Sequence, residues 1–352
     1  MYQISEKLLN MKPYEPITET YDIRLDANES YMNLPDFIIE DIQKQIAQIE
    51  FNRYPDPFAT ELCEGFASYY GVKSELVTAG NGSDELISVV TGAFLSAGEK
   101  MIVISPDFSM YQFYGTLSEH DIIVIEKDDK DLQVNVDQVI KVAREQNVRA
   151  ICFSNPCNPT SVGLPKEQVR KLLKSVDALV ILDEAYMDFW DQSLMDEVEE
   201  YDNVIILRTC SKALGLAAVR IGFAVANPTL TRILHAVKSP YNMNAISQAI
   251  GTSLFRYPEH LDESTNAIIS SRKKLEKMLR ELNEETGMFE WVYESNNNFV
   301  MIRTDKADEI FEALKEKSIA VRNFHKFIRI TAGFENENEA VVKALREIAA
   351  QI

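Results

Sequence analysis

Twelve residues concentrate the chemistry this sequence can offer: Thr209-Cys210-Ser211-Lys212-Ala213-Leu214-Gly215-Leu216-Ala217-Ala218-Val219-Arg220. One lysine stands among hydroxyls and small residues, with an arginine closing the stretch. The lysine follows the apolar run Val204-Ile205-Ile206-Leu207 and precedes a segment almost without polar side chains. Burial in such surroundings disfavours the ammonium form and pushes the pKa down toward nucleophilic use. An amine activated in this way forms Schiff bases with carbonyl compounds, the aldehyde of pyridoxal phosphate among them. The same residues also fit a lysine that snorkels from a strand end, and the segment alone leaves both readings open.

Other polar groups gather at comparable places. From residue 100 the pattern alternates: strands at 101–104, 122–125, 150–153, 178–182 and 204–207, and helices at 108–114, 136–145 and 164–176. Short continuous apolar runs separated by helices predict a mostly parallel sheet covered on both faces. Ligands of such sheets gather at the carboxyl ends of the strands. Three of those ends carry Ser154-Asn155-Pro156-Cys157-Asn158-Pro159-Thr160, Asp183-Glu184-Ala185-Tyr186 and Arg208-Thr209-Cys210-Ser211-Lys212. Each has a local explanation, since Asn-Pro makes turns, an Asp after a strand caps a helix and a Tyr packs. Together, in this order, they point to one site.

The elements before and after must complete it. Val77-Thr78-Ala79-Gly80-Asn81-Gly82-Ser83-Asp84 predicts a short strand and a glycine-bearing turn, with Ser83 or Asp84 capping a helix through Leu86, Ile87, Val90 and Phe94. Such a helix start suits a phosphate. The stretch lacks both the third glycine of a dinucleotide fingerprint and the Gly-Lys-Ser/Thr of a P-loop. Upstream, a polar arm reaches residue 30, helices follow at 36–49 and 59–70, and two prolines between them fix Tyr54, for which packing is the simpler local reading. Downstream lie a strand at 221–225, a long helix at 258–283 charged on one side, and strands at 298–302, 319–322 and 327–331.

Composition bounds the function. The 352 residues exceed the ~250–300 at which single cores stop growing, so one large and one small domain are expected. No run approaches the roughly 18 apolar residues of a membrane span. The start, Met1-Tyr2-Gln3-Ile4-Ser5-Glu6-Lys7, lacks a basic-then-apolar signal pattern, so a cytoplasmic protein is expected. Cys63, Cys152, Cys157 and Cys210 then read as free thiols. A formal net charge of −19 argues against nucleic acid or an anionic membrane as partner, leaving local arginines to attract any anionic substrate. His120, His235, His260 and His325 show no ligand spacing, and no metal is expected.

The segments Asn155-Pro156-Cys157-Asn158-Pro159-Thr160, Asp183-Glu184-Ala185-Tyr186, Ser211 to Arg220 and Arg329-Ile330-Thr331-Ala332-Gly333 resemble those of fold-type-I pyridoxal-phosphate aminotransferases. Within that group the chain most resembles the histidinol-phosphate aminotransferases, over residues 25–333. The resemblance implies an α/β fold: a large domain with a mixed, mostly parallel seven-stranded sheet flanked by helices, plus a smaller α+β C-terminal domain. Residues 1–35 would form an arm joining the small domain, 36–244 the large cofactor-binding domain and 245–352 the small domain.

By the same resemblance, Lys212 would hold the aldehyde of pyridoxal 5′-phosphate and shuttle the substrate proton, and Asp183 would pair with the pyridinium nitrogen. Asn155 and Tyr186 would bond the ring oxygen, and Phe108 would stack on the ring in place of a frequent tyrosine. Gly82, Ser83, Asp84, Thr209, Ser211 and Arg220 would complete the cofactor site, with Tyr54 reaching the phosphate from the other subunit of a homodimer. Arg322, Arg329, Asn28 and Tyr14 would face the substrate. The implied reaction interconverts L-histidinol phosphate plus 2-oxoglutarate with imidazole-acetol phosphate plus L-glutamate, a step of histidine biosynthesis.

Departures from the family pattern fall on the pocket rim. Cys157 and Ser161 replace asparagine and glycine, Ala218 replaces a glycine, and no Asn-Pro-x-Gly-Pro follows Asn28-Glu29. Alternatives are an aromatic amino-acid aminotransferase, a threonine-phosphate decarboxylase-like enzyme, or a pyridoxal-phosphate-sensing regulator. The regulator would need a DNA-binding module, and this acidic chain starts directly on the catalytic domain.

Overall fold

In the computed structural model, which describes residues 2–9, 11, 17, 19–128 and 130–351, the apolar runs become one seven-stranded sheet. Its order is Val77–Gly80, Gly222–Ala226, Val204–Thr209, Leu179–Asp183, Ala150–Ser154, Lys100–Ser105, Asp121–Glu126. Gly222–Ala226 runs antiparallel to both neighbours, and the other pairs are parallel. Successive side chains alternate between faces. Ile151, Phe153, Val180, Leu182 and Ile206 enter one core, while Ala150, Cys152, Ile181, Ile205 and Leu207 enter the other. Helices close both faces, which is why these strands read as unbroken apolar runs.

A second core forms around an antiparallel sheet ordered Arg322–Asn323, Phe327–Thr331, Phe299–Arg303, Trp291–Val292. Val300, Ile302, Ile328 and Ile330 pack there against Val341 and Leu345 of the helix Glu335–Ala349. The helix Pro258–Thr286 serves both cores, with Leu261 and Ile268 in the first and Leu275, Leu279 and Leu282 in the second. The helix Ala245–Leu254, on the C-terminal side of the 244/245 boundary, lies against Asp36–Ile46 and Thr60–Tyr70 in the first core.

The N-terminal arm is stitched to the second unit. Ile23–Arg24 pairs in parallel with Ile319–Ala320, the Leu25 N–H donates to Ala320 O at 2.8 Å, and Leu25 is buried in the second core. This pairing divides the strand expected at 319–322. Ile319–Ala320 serves the arm, Arg322–Asn323 pairs with Phe327–Thr331, and buried Val321 marks the change of partner. The helix after Gly80 also differs from expectation. It starts at Gly82, with Asn81 rather than Ser83 or Asp84 at the cap position, and Glu85 of the first turn accepts the Asn81 N–H at 2.7 Å. A carboxylate there satisfies a donor that the helix leaves open. The helix expected at 36–49 ends at Ile46. Among the described residues no helix is long and apolar enough to cross a membrane.

Candidate functional site

Two cavities meet at the carboxyl ends of the central strands. The inner one, about 230 Å³, is lined by Ser83, Asp84, Phe108, Tyr111, Asp183, Tyr186, Thr209, Ser211, Lys212 and Arg220 among others. Its closed end depends on two glycines. Gly82 has φ +81°, and a Cβ there would lie 2.6 Å from Arg220 Nη2; a Cβ on Gly222 would lie 2.1 Å from the Ser83 nitrogen. Without side chains at these points, the helix start, the strand Gly222–Ala226 and the guanidinium close together. Arg220 Nη1 donates to Ser211 Oγ at 3.2 Å and to Ala217 O at 3.1 Å, and the Ser211 N–H donates to Thr209 Oγ1 at 3.1 Å. Helix-start N–H groups, hydroxyls and an arginine fork form a cradle for a phosphate-like anion.

Lys212 and Asp183 give the inner cavity its reactive character. Lys212 Nζ donates to Ala27 O at 3.1 Å and lies 5.8 Å from the Tyr186 ring centre. Burial, then the positive charge of Arg329, lowers its pKa to about 8. Asp183 ends its strand and is buried, and burial raises its pKa to about 6. Tyr111 OH donates to Asp183 Oδ2 at 2.7 Å and the Ala185 N–H to Oδ1 at 3.0 Å, both holding the anionic form. Among the described residues no basic side chain pairs with Asp183 within 4.0 Å. A buried carboxylate supplied with neutral donors alone suits a cationic ligand group.

The outer cavity, about 310 Å³, shares Phe108, Asn158, Tyr186 and Lys212 with the inner one and adds Arg24, Asp26, Asn28, Arg322 and Arg329. Arg322 sits directly opposite Arg329 in the antiparallel register. Like charges in that position repel, and an anion between them would relieve the repulsion. Arg329 is buried, donates to Asn158 Oδ1 and Asp26 O, and lies 5.3 Å from the Phe299 ring centre. Asn28 locks the arm across the site: its Nδ2 donates to Tyr186 OH at 2.8 Å, its backbone N–H to Thr331 Oγ1 at 3.1 Å, and its O accepts from Asn298 Nδ2 at 3.0 Å.

Most residues expected at the site converge there, with exceptions. Asn155 is buried but lines neither cavity; its Nδ2 donates to Leu164 O at 2.9 Å and its Oδ1 accepts the Leu164 N–H at 2.7 Å. Tyr54 is 80% exposed, stacks on Tyr241 at 4.6 Å and lines neither cavity of its own chain. Tyr14 lies outside the described residues. Sequence reasoning overlooked Tyr111, Asn158, Arg24 and Asp26. Tyr111 lies three positions after Phe108, the spacing that puts two residues on one helix face, and that was its available signal. Arg24 carries its own partner, Asp26, at 3.3 Å.

Residues 20–345 match the family described as aminotransferase class I and II. The chain is 40% identical to a histidinol-phosphate aminotransferase of Clostridium novyi (strain NT) over 342 residues, 96% of this chain and 94% of that one. It is 37% identical to a histidinol-phosphate aminotransferase of Pyrococcus furiosus over 352 residues, 98% of this chain and 97% of that one. Its fold is similar to the crystal structure of histidinol-phosphate aminotransferase from Sinorhizobium meliloti in complex with pyridoxal-5′-phosphate. The TM-score is 0.87 at 20% identity, over 100% of this chain and 98% of that one.

Proposed function

The chain belongs to the class I and II aminotransferases, and from that premise we propose that it exchanges the amino group between L-histidinol phosphate and 2-oxoglutarate. The products are imidazole-acetol phosphate and L-glutamate. Pyridoxal 5′-phosphate fits the inner cavity as cofactor. The cradle of Gly82, Ser83, Thr209, Ser211 and Arg220 suits its phosphate, and the unpaired carboxylate of Asp183 suits its protonated ring nitrogen. When bound, the cofactor supplies an aldehyde that captures amines and a conjugated ring that accepts electrons from the substrate Cα.

The side chains divide the remaining work. Lys212, uncharged in a substantial fraction near pH 8, would hold the aldehyde and carry the Cα proton. Asp183 would keep the ring nitrogen protonated. Tyr186, which lines the inner cavity, would set the ring oxygen, while Asn155, outside both cavities, holds the Leu164 backbone through both ends of its amide. Phe108 covers the ring face, and Asp84, held by Tyr114 OH at 3.0 Å, borders the cradle. Residues 1–35 act as the arm of a small C-terminal domain, and the chain works as a homodimer in which Tyr54 reaches the neighbouring cofactor phosphate. Sedimentation of the active protein as a monomer would remove that last reading.

The observation that carries the substrate is the opposition of Arg322 and Arg329 at the outer cavity. A phosphate dianion relieves their repulsion and accepts hydrogen bonds from both. Phenylalanine brings one carboxylate and an apolar ring, and needs Arg329 alone. Arg322→Ala should therefore cost histidinol phosphate about 2 kcal/mol, roughly thirtyfold in kcat/KM, and leave phenylalanine nearly unchanged. Equal losses for the two donors would take the phosphate away from Arg322.

A further inference from the structure

We propose that Lys127 and Cys157 are the two ends of a covalent cross-link in which one oxygen atom joins the lysine nitrogen to the cysteine sulfur. Lys127 follows the edge strand Asp121–Glu126, and Cys157 lies in the turn after Ala150–Ser154. Both are buried, and Lys127 Nζ lies 2.8 Å from Cys157 Sγ. N–H···O bonds centre near ~2.9–3.0 Å. Sulfur is larger than oxygen, so this contact is closer than an ordinary hydrogen bond to a thiol.

The pair shares one further neutral partner, Pro106 O, which lies 3.6 Å from Cys157 Sγ. Lys127 also donates to Pro106 O at 3.0 Å, while among the described residues the nearest carboxylate oxygen, Asp107 Oδ2, is 3.9 Å away. Asp107 is already taken up by the Ser154 hydroxyl, the Ser154 N–H and the Phe108 N–H. A lysine buried against a thiol at the edge of carboxylate reach is costly as an ion pair. Neither Lys127 nor Cys157 lines the cavities, and transamination uses neither.

Dioxygen, which is small and apolar enough to enter a closed core, is the oxidant. The ammonium and the thiol react with one dioxygen molecule to give the N–O–S bridge, one water and one proton. Two N–H bonds, the S–H bond and the O–O bond break, while N–O, O–S and the two O–H bonds of water form. Nitrogen and sulfur each lose two electrons, and the two oxygen atoms take all four. The released proton passes to Asp107. The bridge ties the edge strand to the turn carrying Asn158, the residue that receives Arg329, so its formation reaches the outer cavity.

The test is a mass comparison of the full chain, first reduced with dithiothreitol and then held in air-saturated buffer. Air exposure should add one oxygen and remove two hydrogens. A non-reducing digest should yield the Lys127 peptide joined to the Cys157 peptide, and dithiothreitol should separate them with loss of the added oxygen. Recovery of an unlinked Lys127 peptide overturns the proposal, whether Cys157 is then a free thiol or a sulfinic acid. The wild-type digest decides this without a variant; Cys157→Ser should abolish the joined peptide.

Discussion

The two cavities share a wall but differ in construction. The inner one is set by residues that end or follow the strands of a single sheet: 83–84, 108–111, 154–158, 183–186 and 209–220. The outer one is assembled from the arm at 24–28, the turn at 158–159 and the second sheet at 322–329. One offers a fixed anion cradle and a fixed carboxylate; the other offers arginines arranged across pieces distant in sequence. On the proposed function, reaction chemistry would rest on one sheet and substrate choice on the junction of several pieces. Changes in the inner cavity should weaken all donors alike, and changes in the outer one should redistribute them.

The largest effect tests the inner half of that contrast. Lys212→Ala should lower turnover of every donor by on the order of 10⁴-fold or more, since both attachment and proton transfer are lost. A cofactor still fixable to the variant by borohydride would show that another lysine does this work. Next, Arg220→Ala should weaken cofactor affinity by about 2 kcal/mol, roughly thirtyfold, with donor ranking unchanged in equilibrium titrations. A changed ranking would erase the distinction between the cavities. Comparable in size but selective is the Arg322→Ala loss for histidinol phosphate.

The smallest effect sharpens how Asp183 is held. Tyr111→Phe removes a hydrogen bond that favours the carboxylate, so the Asp183 pKa should rise above about 6. Because the anionic form is the one that would receive the ring nitrogen, the acid limb of cofactor uptake by the cofactor-free chain should move to higher pH, with the maximal uptake rate reduced only a few-fold. An unmoved acid limb would reduce Tyr111 to packing. On the alkaline side, cofactor uptake by the wild-type chain should speed up as pH rises through about 8, because Lys212 is neutral above that value.

The same contrast explains what the sequence made legible. Lys212, Asp183, Tyr186 and Arg220 follow apolar runs whose alternation dictates the sheet, so their convergence was readable from pattern and order. The pattern puts the helix start within two residues of Gly82 but not its cap, because Glu85 rather than a hydroxyl serves the open N–H. The outer cavity was less readable. Asn158 and Asp26 hold Arg329 from 171 and 303 positions away. No local periodicity reports such contacts. The split at Val321 depends on pairing with an arm some three hundred residues earlier, equally invisible to a window of neighbours.

The most direct test of the account is a single-turnover absorbance experiment on the cofactor-loaded wild-type protein, with histidinol phosphate, phenylalanine and phosphothreonine added separately. Rapid conversion of the yellow aldehyde form to the amine form by histidinol phosphate, with phenylalanine and phosphothreonine far slower, is the predicted result. Conversion led by phenylalanine would contradict it, leaving the lysine chemistry of the inner cavity in place but taking the phosphate out of the outer one.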